Sequence, residues 1–235
     1  MFTQSMTSEE LAMEYCRDLP EIHERNERFD SSEFVTNTLA KKWGNNKIQS
    51  VYFDRIYVTK RNNKYLNVFV YKKQKSDGWK YAVFTVGLMQ TFKGECAILF
   101  YEDSSVGVLV RSHFFSRYKE RMLLDCDWKT KLQLNATKTL YDVISLYIRR
   151  NNDAALMKTD TKFGNKQHIF VPVKDGVALY QFDEKKEQIQ CNTFVTNSML
   201  SNQQKNMVKA ADEYKTSVME MQKFVQDFYK IINQK

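Results

Sequence analysis

Between residues 48 and 110, apolar side chains recur at every second position in run after run, a period that suits a β-sheet and no helix. The segments IQSVYFDRIYVTK and KYLNVFVYKK flank the polar turn RNN, which predicts an antiparallel hairpin. WKYAVFTVGLMQ, ECAILFYED and SVGVLVRS continue it as a meander of three to five strands. The alternation also sorts residues by face. Tyr52, Asp54, Ile56, Val58 and Lys60 share one side of the first segment, and Val51, Phe53, Arg55, Tyr57 and Thr59 the other. In the second segment Tyr65, Asn67, Phe69 and Tyr71 lie together.

Helical spacing takes over on either side of the meander. Residues 8–29 open with Thr7 or Ser8 ahead of Glu9 and Glu10, a capping pattern, and then place Leu11, Tyr15, Leu19 and Ile22 on one stripe. Pro20 is predicted to kink or split that helix. Further helices are predicted over 112–125 and over 136–150, where Leu140, Val143, Ile144, Tyr147 and Ile148 fall on one side. KQHIFVPV, GVALYQF and QIQCNTFVT then read as three short strands of a small antiparallel sheet. From Ser198 onward Met207, Ala211, Tyr214, Val218, Met221, Val225, Phe228 and Ile232 form an a/d seam, which predicts a long C-terminal helix. Such a seam needs a partner: the chain's own N-terminal helix, a second copy, or another protein. The class is therefore α+β, with an antiparallel meander in the first half, helices and a small sheet in the second, and a closing helix. Its 235 residues suit one elaborated domain, which divides most naturally into lobes 1–110 and 111–235 if it divides at all.

Composition narrows the function. Aromatic residues at 14% and apolar residues at 43% argue for an ordered globule and against a disordered chain. No basic and apolar leader opens the sequence and no apolar run approaches a membrane span, so a soluble, unexported, cytoplasmic protein is expected. Cys16, Cys96, Cys126 and Cys191 lie far apart with no CxxC pair, and read as reduced, mostly buried thiols. With no HExxH or HxH, no clustered carboxylates at ligand spacing, no Walker loop and no dinucleotide fingerprint, no metal and no cofactor is expected. The net charge of +8 is concentrated: residues 41–80 carry eleven Lys and Arg against two acids, and the remainder of the chain sums to −1. A concentrated basic region is what a polyanion binder presents, although lysines also guard sheet edges.

The stretch RSHFFSRYKERML, residues 111–123, carries one of three histidines. At about 100° per residue, and with His113 at 0°, Arg117 falls near 40°, Arg121 near 80° and Glu120 near −20°. Phe114, Tyr118, Met122 and Phe115 occupy the other side. A histidine beside arginines on an open face fits phosphodiester chemistry without a metal: imidazole moves a proton at neutral pH, and guanidinium grips phosphate oxygens. Cleavage of RNA normally needs a second proton-transfer group. His168, on the polar side of KQHIFVPV, is one candidate; Glu120 is nearer but is expected to pair with Arg117 or a lysine. Thr193 and Thr196 at the end of CNTFVT can donate to a phosphate.

The order His113, Arg117, Arg121 on a helix, then strands punctuated by Gly164 and Gly176, then TFVT before a closing helix resembles the small metal-independent nuclease superfamily of barnase, EndoU, colicins E5 and D and RelE. The resemblance covers residues 106–200. It implies His113 as general acid/base, Arg117 and Arg121 as phosphate ligands, Thr193 as an auxiliary polar group, and a protein of the kind carried by phages, mobile elements and toxin systems. The glutamate base of barnase has no clear counterpart, and the first hundred residues fall outside the match.

Two other readings stand beside it. Aromatic residues such as Tyr57 and Tyr71 near Arg55, Lys60, Arg61, Lys64, Lys72, Lys73 and Arg111 can stack single-stranded bases and hold a backbone, RNA more readily than DNA, without cleavage; Phe53 and Phe69 read as core. Alternatively the heptad seam docks a protein partner and the basic charge is incidental.

Overall fold

A computed structural model describes residues 1–45, 47–74, 78–100, 108–151, 163–164, 168–183, 188–202, 204–206 and 209. Its centre is one nine-stranded sheet in the order β1-β2-β3-β4-β5-β9-β8-β7-β6. The alternating segments become β1 (Ser50–Val58), β2 (Lys64–Gln74), β3 (Gly78–Thr91), β4 (Gly94–Leu99) and β5 (Val108–Val110), each antiparallel to the one before. The β1–β2 turn is closed by Thr59 N–H donating to Asn63 O at 2.9 Å, and Asn62 takes φ 61°, a left-handed conformation that asparagine tolerates.

The second-half strands are β6 (Phe163–Gly164), β7 (His168–Val173), β8 (Gly176–Asp183) and β9 (Gln188–Thr196). They do not form a separate small sheet. β9 pairs in parallel with β5, Val108 opposite Ile189 and Val110 opposite Cys191, so both halves share one sheet. At the β7–β8 turn, a Cβ on Gly176 would sit 2.1 Å from the Val195 carbonyl oxygen, which is why glycine stands there.

Helices cover both faces. α1 (Ser8–Asp30) begins with a complete capping box between Thr7 and Glu10 and runs through Pro20 without splitting. With α2 (Glu33–Trp43) it covers the face carrying Tyr65, Phe69 and Tyr71, all at most 2% exposed. The opposite face, with Leu66, Val68, Val70, Val86 and Leu88, packs against α3 (Ser112–Asp125), α4 (Trp128–Ala136) and α5 (Leu140–Asn151). α2 and α4 were not expected from the apolar pattern, and the helix predicted over 136–150 starts at Leu140. Of the four free cysteines, Cys96 and Cys191 are buried, Cys126 is partly so and Cys16 is exposed.

After β9 a 3-10 turn (Asn197–Met199) leads to a second capped start: Gln204 N–H donates to Ser201 Oγ at 3.2 Å and Ser201 N–H to Gln204 Oε1 at 2.9 Å. Asn202, Gln204, Lys205, Asn206 and Lys209 are helical; the seam over 207–232 lies outside the described residues. No helix among the described residues is long and apolar enough to cross a membrane.

Candidate functional site

α3 leaves β5 through its N-cap Arg111 and lies on β9. Its apolar side is fixed by aromatic packing: Tyr118 meets Phe194 at 5.0 Å and Tyr147 at 4.9 Å between ring centroids, and Phe114 meets Tyr147 at 5.2 Å. Burying that side turns His113, Arg117 and Glu120 outward. Arg117 stands between the other two, its Nε donating to His113 Nε2 at 3.4 Å and a terminal nitrogen donating to Glu120 Oε2 at 2.8 Å. An imidazole and a carboxylate thus flank one guanidinium on an open helix face.

The other residues singled out by sequence are placed elsewhere. Arg121 turns to the sheet and donates to the Phe194 main-chain carbonyl. Arg111 is drawn to β9 as well, with Nε 3.1 Å from Gln190 Oε1. Both guanidiniums are thereby spent on holding α3 to β9. Thr193 neighbours Phe194, which packs under α3, so alternation along β9 directs Thr193 to the other face of the sheet, away from His113. His168 is the first residue of β7, opposite Gln181 of β8, and β8 separates it from β9; its side chain lies outside the described residues.

The stacking platform is corrected by the fold. Tyr71 is 2% exposed beneath α1 and α2 and donates to Asp30 Oδ1 at 2.6 Å. Tyr57 stacks on Tyr65 with Arg25 over its ring at 4.9 Å, and burial pushes its hydroxyl far up. Aromatic rings that sequence offered to bases are core because helices cover that face. Several cations are engaged too. Arg61 grips Glu14 through bonds of 2.8, 3.0 and 3.1 Å and holds that carboxyl down at about 2. Lys64 bonds Glu95 at 3.2 Å and the Tyr141 hydroxyl, Lys73 meets the Trp43 carbonyl and ring, and Arg55 lies over Phe29 at 4.5 Å. Lys60 keeps an exposed side chain while its backbone N–H donates to Glu21 at 3.0 Å. Lys72 is exposed directly across the ladder from exposed Lys80.

Sequence reasoning missed a buried polar knot. Asp175, in the β7–β8 turn, accepts from Arg150 at 2.7 and 2.8 Å, from the Tyr118 hydroxyl at 2.7 Å and from Asn151 at 3.2 Å. Burial pushes its carboxyl up, but the Arg150 charge and these donors together hold it below the usual range. The turn signal Asp-Gly and the Arg-Arg end of α5 were legible separately, but their pairing was not. Two clefts also open on the described surface. One of about 410 Å³ lies between β1 and α4–α5 and includes Tyr52, Asp54, Asp142 and Arg149; one of about 580 Å³ lies between α1 and β3 and includes Tyr15, His23, Glu27 and Tyr81. No group of three or more metal-ligating side chains occurs among the described residues.

No known protein family, curated protein or solved structure matches the chain.

Proposed function

We propose that this protein engages RNA on the open face of α3 and cleaves it without a metal. The observation that carries the reading is the position of Arg117 between His113 and Glu120. A phosphodiester arriving at Arg117 replaces Glu120 as the guanidinium's anionic partner and leaves two proton-transfer groups beside the phosphorus. The freed Glu120 carboxylate takes the proton of the 2′-hydroxyl, whose oxygen attacks phosphorus; the bond to the 5′-oxygen breaks as His113, entering the step as imidazolium, gives that oxygen a proton, and a 2′,3′-cyclic phosphate is left. DNA lacks the attacking hydroxyl, so RNA is the substrate class. The resemblance of the His113, Arg117 and Arg121 spacing to metal-independent nucleases of the barnase, EndoU, colicin and RelE kind supports the same chemistry.

A second reading, RNA binding without cleavage, is favoured by the diversion of Arg121 to the Phe194 carbonyl, which leaves fewer phosphate ligands than the resemblance implies. Labelled RNA incubated with the protein in excess EDTA, beside His113→Ala, separates the two. Cleavage that survives chelation and is lost in His113→Ala, with RNA affinity nearly unchanged, is the expected result. Equal cleavage by the variant removes His113 from the chemistry, and intact RNA throughout leaves the binding reading.

A further inference from the structure

The cleft of about 580 Å³ between α1 and β3 is lined by consecutive residues of the strand, Tyr81, Ala82, Val83, Phe84 and Thr85. Alternate side chains of a strand leave by opposite faces, and Phe84 packs against the core under α3, α4 and α5. The cleft therefore runs along the edge of β3 rather than over one face. That edge is open. β4 pairs with β3 from Val86 to Thr91, whereas β3 continues beside β2 back to Gly78.

The ladder fixes which main-chain groups face the opening. Lys73 N–H donates to the Gln49 carbonyl on the β1 side of β2, so the odd-numbered residues of β2 point to β1 and the even-numbered ones, Val68 and Val70 among them, point to β3. Their partners Phe84 and Ala82 bond back to β2, which leaves Tyr81, Val83 and Thr85 with N–H and carbonyl turned away from it. No described residue pairs with these groups. Native sheets blunt such edges with proline or charge, and Tyr81–Thr85 contains neither.

The opposite wall is one stripe of α1, with Leu19, His23 and Glu27 four residues apart. Burial and then the charges of Asp30 and Glu27 push the Tyr81 hydroxyl up, which sets those carboxylates at the Tyr81 end of the groove. In a chain of net charge +8, the described lining holds Glu27 and no lysine or arginine.

We propose that this groove takes an extended peptide segment of a partner protein as an added strand along Tyr81–Thr85, its apolar side chains against Val83 and Leu19 and a basic side chain at Glu27. Main-chain bonds to Tyr81, Val83 and Thr85 supply affinity, and the pockets for alternate side chains supply selectivity. The site shares no residue with α3 and does not depend on the RNase reading.

The probe is a pentapeptide amide, Val-Thr-Val-Thr-Arg, labelled with fluorescein and titrated with the full chain by anisotropy. Antiparallel to β3, it sets its first, third and fifth residues opposite Thr85, Val83 and Tyr81, with their N–H groups towards the strand. Saturable binding is expected. N-methylation of the third residue should weaken it at least about tenfold, and N-methylation of the second, whose N–H points away, should leave it nearly unchanged. Glutamate in place of the arginine should weaken it about fivefold, and Glu27→Lys, a change to an exposed side chain, should reverse that preference. Equal losses from the two N-methylated peptides, a preference that Glu27→Lys leaves unaltered, or no saturation up to about 1 mM protein overturns the proposal. So does a two-chain mass by light scattering that falls when peptide is added, which gives the edge to a second copy.

Discussion

Replacing Arg150 with methionine tests how the second half of the sheet is tied to its helices. Arg150 supplies Asp175 with two charge-assisted bonds, at 2.7 and 2.8 Å, and the Asp175 side chain is only 4% exposed. Each such bond contributes about 1.5–3 kcal/mol, and stranding one partner of a buried pair costs about 3–5 kcal/mol. Tyr118 and Asn151 still donate to the orphaned carboxylate, which places the loss at the lower end, about 3 kcal/mol. Against a typical domain stability of about 5–15 kcal/mol this is a large fraction, readable in a urea titration at neutral pH. Asp175→Asn in the Arg150→Met background removes the stranded charge and should restore about 2 kcal/mol; the lost bond from Arg150 to Thr130, 2.7 Å in the wild type, is common to both variants and cancels. The sign with pH follows from the depressed carboxyl. Its contribution is present above the unfolded-state value and disappears as pH falls through the folded one, so the gap between wild type and Arg150→Met narrows on acidification. A loss under about 1 kcal/mol, or one just as large when Asp175 is already Asn, would refute the argument.

Three further expectations can be checked singly. Arg121→Ala should lower stability by about 1–2 kcal/mol in thermal or urea unfolding, because it leaves the Phe194 carbonyl without its donor, and should leave the salt dependence of RNA binding unchanged. Gly176→Ala, whose new methyl meets the Val195 carbonyl oxygen at 2.1 Å, should cost about 3 kcal/mol or more and show as loss of soluble, cooperatively unfolding protein. If RNA binds the basic half, log affinity should fall linearly with log salt, and Lys72→Ala/Lys80→Ala should reduce that slope by about 1–2; a flat response in the wild type removes phosphate contact from the account.

The β-meander was legible because its alternation is local and unbroken, and α3 because its aromatic residues cluster on one side of the wheel. α2 and α4 escaped that kind of reading for a physical reason. α2 buries only Val35, and α4 leaves Trp128 and Leu132 in solvent, so neither shows a clean apolar stripe. Their N-caps were the available signal: Ser32 accepts from Val35 N–H, and Asp127 accepts from the N–H groups of Lys129 and Thr130. The coverage of β2 was also readable in principle. Tyr65 to Tyr71 is nearly continuous in apolar residues, the mark of a strand covered on both faces rather than of an aromatic platform open to bases. Arg121, near 80° on the wheel, sits at the border of the two sides, and no pattern on α3 could reveal that its acceptor is a main-chain carbonyl on β9. The parallel join of β5 to β9 was equally hidden, since three apolar residues carry no register.

That short join has a consequence in time. The β1–β5 meander is built from neighbours in sequence and can assemble as soon as it is synthesised, but Val110 and Cys191 are about eighty residues apart, and closing so long a loop is slow. α3 rests on β9 as well as on β4, so the helix that carries His113, Arg117 and Glu120 acquires its final seat only after β9 has been made. A chain still being synthesised would therefore hold the proposed RNA-cleaving group on an unseated helix. Activity would arrive with the last strand, after most of the protein has left the ribosome whose RNA it would otherwise meet first.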